Sequence, residues 1–397
     1  MIKEQTMNPG SKESIRLPVF KLIPLALAGF IAIMTETMPA GLLPQIGKSL
    51  GIKESLAGQL ITLYALGSVL AAIPVIAATL HWPRKRLLLL ATIGFFVFNA
   101  ITALSNHYVL TLVARFLAGM AAGITWGLLI GYAKRIVQPS MEGRAIALVG
   151  IGQPIALAIG VPMAVWLGKV FGWDGAFWTM SVLSFLLMIW MIIVLPDFKG
   201  VKPQKRLSVY RVFMLNGIRR LLLILFLWIM AHNILYTYIA PYLFDFNLTD
   251  SVDLVLLIFG VSSLLGIGII GVLIDKWLIP LTKGSLFVFA LGAVLLIMAN
   301  YIPSFLYLGV CLWGLSFGGI STLLQKNMAD QAGENSDVAQ SMFVTVFNLA
   351  VAVGGIAGGM LLDKLGTTSF PWTILILILF LFFCLSNKKV IAPKRHA

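Results

Sequence analysis

Met34-Thr-Glu-Thr-Met-Pro-Ala-Gly-Leu-Leu-Pro44 closes an apolar run that begins near Leu22, and it carries one carboxylate, Glu36. A run of this length is a membrane-crossing helix. At about 1.5 Å per helical residue, Glu36 lies roughly 12 Å inside the end marked by Pro44. A short acidic side chain cannot snorkel to water from that depth as a lysine does. An ionised carboxylate without a partner there costs several kcal/mol, which makes Glu36 a functional candidate; a residue near the headgroups is the plainer alternative.

The same pattern continues through the chain. Of 397 residues, 59% are apolar and 11% charged, and the mean hydropathy is +0.97. So few charges cannot cover a soluble protein of this size, and the composition specifies a polytopic membrane protein. Twelve runs are expected to cross, at about 19–43, 55–80, 86–104, 108–133, 145–170, 175–195, 221–243, 253–274, 286–299, 305–325, 338–362 and 370–385. The corresponding units are a tail at 1–18, a six-helix bundle at 19–195, a basic linker at 196–220, a second six-helix bundle at 221–385 and a tail at 386–397.

The net charge of +14 follows from topology and implies no nucleic-acid partner. With both tails cytoplasmic, every Lys and Arg except Lys48, Lys53, Lys169, Lys364 and the intramembrane Arg115 falls on the cytoplasmic side. The reverse orientation would invert that ratio. Residues 1–18 lack the short apolar core and cleavage site of a signal peptide, so the first run is expected to stay as a span. Cys311 and Cys384 both sit in apolar runs and read as buried filler, neither disulfide nor metal site.

The halves repeat. At an offset of 194 residues Ala156-Leu-Ala-Ile-Gly160 faces Ala350-Val-Ala-Val-Gly354, and at 195 Gly119 and Gly123 face Gly314 and Gly318. Small residues at such positions let helix backbones approach closely.

On these residues the chain resembles the major facilitator superfamily, and within it the twelve-span drug:proton antiporter family of bacterial drug, sugar and purine-nucleoside efflux permeases. The resemblance is carried by Glu36-Thr-Met-Pro-Ala-Gly-Leu-Leu-Pro44, Arg115-Phe-Leu-Ala-Gly119, Gly160-Val-Pro162 with Gly168 and Phe171-Gly-Trp173, Trp313-Gly314, and Phe347-Asn348 with the Gly-rich run to Gly359. It implies an all-α membrane fold of twelve helices in two pseudo-symmetric six-helix bundles. It also implies alternating access, without a cofactor beyond a proton gradient, in a bacterial cytoplasmic membrane, by a monomer. Two departures stand out. The family's loop between spans two and three usually carries a glycine and an aspartate that are missing from Ile76-Ala-Ala-Thr-Leu80-His-Trp-Pro-Arg84-Lys85, whereas the copy Gly271-Val-Leu-Ile-Asp275-Lys276 keeps them. Asp275 is therefore the expected charge clamp, with a topological role as the alternative. In the fifth span Gly160 and Pro162 are separated by Val161, and a bending role is kept.

Arg115, at about 10 Å depth in the fourth span, is the partner expected for Glu36. An arginine keeps its charge while a carboxylate can exchange a proton, an asymmetry suited to proton coupling; a static ion pair is the alternative. The second half has Val310 where the first has Arg115, so the coupling charges belong to the first half. His232, Asn233, Tyr236 and Tyr238 of the seventh span, with Trp126, Gln153, Trp313 and Asn348, are candidates to line a cavity for a flat, moderately polar solute. Interface-belt packing competes for the aromatics, and an interhelical hydrogen bond for His232. Pro241 is expected to bend the end of the seventh span, and Asp245, Asp250 and Asp253 read as solvated loop charges.

Four scattered histidines and the lack of a metal, nucleophile or phosphate-loop motif speak against an enzyme, and two repeated halves around a central charge speak against a channel. The expected function is proton-driven export of small organic solutes, including drugs, with proton symport for uptake as the alternative.

Overall fold

The structure is a computed structural model and describes residues 17–386 other than 73, 80, 200–208 and 216. Most of both expected tails, and Lys202, Lys205 and Arg206 of the expected linker, lie outside those residues. The crossing helices are α1 Val19–Thr37, α2 Gln59–Ala72, α3 Arg84–Leu104, α4 Tyr108–Ile136, α5 Val161–Phe171, α6 Trp173–Val194, α7 Ile218–Thr237, α8 Val252–Met298, α9 Ser304–Gly318, α10 Ser336–Leu365 and α11 Ser369–Ser386. The short helix Val209–Phe213 stands within the stretch read as a linker.

Ten stretches are long and apolar enough to cross a bilayer, with Ser369–Phe383 a shorter eleventh. One of the ten, Thr249–Met298, has 50 residues, roughly 75 Å of helix against a hydrocarbon core of about 30 Å, and so supplies two crossings. The described residues therefore make twelve. Helix α8 runs through the expected loop at 275–285, and its one non-helical residue is Trp277 (φ −128°, ψ 27°). Pro280 explains the site of the bend: it lacks an N–H, and its ring clashes with the carbonyl of Lys276, directly before Trp277.

The repeat is visible at the level of single atoms. A Cβ on Gly119 would stand 1.9 Å from the Tyr64 carbonyl oxygen and one on Gly123 2.5 Å from that of Ser68. In the second half Gly314 meets the Phe259 carbonyl at 2.3 Å and Gly318 that of Ser263 at 1.9 Å. All four pairs keep the offset of 195 residues. The α2–α4 seam thus recurs as the seam between the first limb of α8 and α9, and in both only glycine admits the backbone approach.

One face of the bundle carries Arg84, Lys85, Lys134, Arg135, Lys276, Lys283 and Lys326, here the basic face; the far face lies opposite. At the far face the halves are fastened together. Tyr238 Oη lies within hydrogen-bond distance of the carbonyl oxygens of Ser55 in the first half (3.2 Å) and Gly355 in its own half (2.9 Å), which share its single proton, and Gln59 Nε2 of the first half donates to it at 3.3 Å. Lys169 of α5 bonds Asp253 Oδ1 (2.7 Å) and the Asp250 carbonyl (2.6 Å) at the start of α8. Asp253 is therefore paired rather than merely solvated, and Asp245 accepts a bond from Thr367. At the basic face the contacts of Lys85 with Asp197, Arg135 with the Lys199 carbonyl and Lys134 with Glu142 stay inside the first half. Lys326 to Asp275 (2.9 Å) stays inside the second. The expected clamp at Asp275 thus joins α8 to helix Ile320–Ala332 of its own half and does not bridge the halves.

Candidate functional site

The first span breaks directly after its carboxylate. Helix α1 ends at Thr37, and Pro39, unable to donate a helix hydrogen bond, opens a 3₁₀ turn, Met38–Gly41. The last turn of any α-helix leaves carbonyls without intrahelical partners, and here side chains from three neighbouring helices fasten that turn. Tyr64 Oη of α2 donates to the Ala32 carbonyl (2.7 Å), Asn99 Nδ2 of α3 to Thr35 Oγ1 (3.1 Å), and Arg115 of α4 to the Glu36 carbonyl (3.4 Å).

Arg115 is fully buried. Its Nε donates to the Leu60 carbonyl (3.3 Å), and its guanidinium lies 4.7 Å from the Tyr64 ring centre and 5.5 Å from that of Phe177. The expected ion pair between the Glu36 and Arg115 side chains is not formed. The arginine holds the backbone of residue 36, while the carboxylate remains within Coulombic range. The end of α1 supplies a free carbonyl and aromatic rings supply a flat stacking surface, and together they hold the guanidinium without using the Glu36 carboxylate. Arg115 Nη1 has no hydrogen-bond partner.

The other half meets the same spot. Tyr236 of α7 brings its hydroxyl beside Thr37 and within Coulombic range of Glu36, without a hydrogen bond of full geometry. Its ring stacks on His232 (5.0 Å between centres), which stacks on Phe317 (3.8 Å, 16° between planes). Trp313 Nε1 donates to His232 Nδ1 at 3.0 Å, and Phe259 closes the cluster 4.4 Å from Trp313. Because Nδ1 accepts that bond, a neutral His232 carries its proton on Nε2. Glu36 therefore sits between an arginine-and-tyrosine wall of the first half and an aromatic wall of the second.

A sequence profile described as Major Facilitator Superfamily matches residues 25–350. The chain belongs to the Major Facilitator Superfamily. It is 30% identical over 361 residues to the uncharacterized MFS-type transporter YbcL of Bacillus subtilis strain 168, covering 89% of this chain and 91% of the relative. It is 29% identical over 346 residues to the purine ribonucleoside efflux pump NepI of Escherichia coli O6:H1, covering 85% and 86%. To the probable sugar efflux transporter of Mannheimia succiniciproducens it is 25% identical, covering 90% of each chain. The fold is shared with the crystal structure of a point mutant of the nucleoside transporter NupG, with a TM-score of 0.73, 15% identity and coverage of 93% and 98%. Members of this superfamily are transporters, and this chain is a multi-pass membrane transporter, not an enzyme.

The other residues expected around the solute make the following contacts in the superfamily fold. Tyr238 is sealed into the far-face seam described above, because α7 breaks at Tyr238 itself (φ −110°, ψ 30°), three residues before Pro241. Pro241 then continues in helix Ile239–Phe244 without bending it. Asn233 and Asn348 turn back onto the carbonyls of Ile229 (3.0 Å) and Val344 (2.9 Å). Trp126 packs against Gly29 of α1, and Gln153 is half-buried. Gly160 admits Met34 and Phe30 of α1, and a π-turn, Ala156–Gly160, precedes Pro162, which gives the fifth crossing the expected irregular point. Gly271, expected to pack closely, has open space where a Cβ would stand. Lys276 is exposed at the bend of α8.

Tyr64, Asn99, Phe259 and Phe317 were not legible as site residues. Asn99, a lone amide in an apolar run, carried the clearest available signal, since buried amides in lipid need partners.

Proposed function

We propose that this transporter exports small organic solutes, of nucleoside or sugar type, in exchange for protons, from the cytoplasm of a bacterium by alternating access. Both tails and the basic face are then cytoplasmic, as the distribution of Lys and Arg favours. With the far face fastened, the structure corresponds to the inward-facing state of that cycle. The observation that carries the reading is Glu36, a buried carboxylate at a helix break and beside the contact between the halves, with no ion pair to fix its charge. Similarity to a probable sugar efflux transporter and to a purine ribonucleoside efflux pump supports the solute class and direction.

The cycle follows from charge. A proton arriving while the cavity faces outward neutralises Glu36, which removes the cost of burying its charge against the aromatic wall of the second half. Release of that proton to the cytoplasm restores the carboxylate, and solute then binds against the Tyr236, His232 and Trp313 wall. Arg115 keeps the helix end in place in both protonation states, because it holds a carbonyl and not the titrating oxygens.

The test uses protein reconstituted in liposomes containing a pH-sensitive dye, with nucleosides, sugars and drugs added class by class across an imposed pH gradient. Solute-dependent proton movement opposite to the solute, abolished in Glu36→Gln while solute binding persists, is expected. Co-directional movement turns the reading to symport, and uphill transport that survives Glu36→Gln overturns the role of Glu36.

A further inference from the structure

A concavity of about 510 Å³ lies on the flank of the second half and away from Glu36. The first limb of α8 contributes Gly266, Ile269, Ile270, Leu273 and Trp277, which recur at three- and four-residue steps and so form one stripe. The second limb contributes Pro280, Leu281, Gly284 and Val288 at the same spacing, and Leu315 and Ser316 of α9 form the floor. The bend at Trp277 is what splays the two limbs. Ser316 Oγ donates to the Ser285 carbonyl (2.8 Å), so its polar demand is already met, and what remains is an apolar slot. Ile269, Leu273 and Trp277 are exposed along its mouth, which places the opening on the flank that faces lipid.

The charges at the end of the slot select its occupant. Lys276 directly precedes Trp277, and Lys283 directly precedes Gly284. Both are exposed, and among the described residues neither forms an ion pair, whereas the neighbouring Asp275 is neutralised by Lys326. Next to the residues that line the slot, the bend of α8 thus carries two exposed ammonium groups and an exposed tryptophan, the residue type that settles at headgroup level. Basic pockets between transmembrane helices hold anionic headgroups, with about 1 kcal/mol for each lysine or arginine, or about fivefold in affinity.

We infer that this groove is a binding site for one anionic glycerophospholipid of the leaflet at the basic face, with an acyl chain in the slot between the limbs of α8 and the headgroup on Lys276 and Lys283. The lipid completes a flank that protein leaves unfilled, at the bend that the second half must keep while it moves against the first. This site takes a membrane component and is separate from the transported solute.

Native mass spectrometry of the full-length protein released from nanodiscs of equimolar phosphatidylglycerol and phosphatidylcholine tests it. The unaltered protein is expected to retain one phosphatidylglycerol in preference to phosphatidylcholine. Lys276→Gln with Lys283→Gln should lower that preference by about 25-fold, two fivefold steps. Gly284→Leu, which fills the slot at a position where a Cβ meets nothing within 4 Å, should lose the lipid whatever its headgroup. Monodisperse elution of each variant shows that it is folded. Absence of a retained lipid in the unaltered protein, an unchanged preference in the lysine variant, or full retention in Gly284→Leu overturns the inference.

Discussion

At Glu36 the sequence and the structure agree on the place and differ on the partner. A carboxylate and an arginine at matched depth suggested an ion pair, but the guanidinium spans two backbone carbonyls, those of Leu60 and Glu36. Sequence spacing shows which helices meet and at what depth; it does not show that α1 ends at Thr37 and exposes acceptors there. The division of labour has a measurable consequence. Arg115→Met strands the Glu36 carbonyl at the helix end, at about 1–3 kcal/mol, and removes a second bond to the Leu60 carbonyl, which keeps its place in helix α2, so it is expected to lower the thermal stability of the detergent-solubilised protein by a few degrees. Arg115→Lys keeps a charge but not the planar fork, and should recover only part of that loss. Glu36→Gln leaves the carbonyl contact intact, so it should stay close to the parent in stability while losing proton coupling. A differential scanning measurement on the three variants separates the structural arginine from the titrating carboxylate.

Among the elements, the α2–α4 seam and its copy between α8 and α9 are the best test of the internal repeat. A methyl group at Gly119 or Gly314 would stand 1.9 or 2.3 Å from a backbone oxygen, which cannot rotate away as a side chain can. Gly119→Ala and Gly314→Ala are each expected to cost at least about 1–3 kcal/mol by overpacking, and to lower both thermal midpoint and yield of monodisperse protein. Gly131→Ala, on the same α4 but with nothing within 4 Å of the new methyl, should be neutral or gain up to about 1 kcal/mol from helix propensity. Equal effects at Gly119 and Gly131 would show that the seam does not demand glycine. The recurrence of these glycines was readable in the chain, whereas the continuity of α8 was not. Residues 275–285 carry Asp275, Lys276, Pro280 and Lys283, which read as a loop; tertiary packing keeps that stretch helical and concentrates the break in Trp277.

For the whole molecule, the far-face fastening decides which way the bundle opens. Across the seam the single Tyr238 hydroxyl proton supplies at most one buried hydrogen bond, to the Ser55 carbonyl, at about 0.5–1.5 kcal/mol, while the partly exposed Lys169–Asp253 pair is worth at most about 1 kcal/mol. Tyr238→Phe is therefore expected to shift the inward–outward equilibrium toward the outward-open form by about two- to tenfold, and Lys169→Gln by no more than about fivefold. Distances between spin labels at the far ends of α2 and α10, measured in nanodiscs, report that shift. Unchanged distance distributions in Tyr238→Phe would remove it from the gate. The sequence alone determined the membrane class, the twelve crossings, the two-fold repeat and the depth of Glu36, because hydropathy, helix rise and glycine recurrence are local or periodic quantities. The tertiary structure decided that Arg115 grips a carbonyl, that His232, Tyr236 and Trp313 form one wall, and that Tyr238 leaves the site for the seam. Those choices depend on where helices end and which faces meet across the halves, and both are set by packing between residues far apart in the chain.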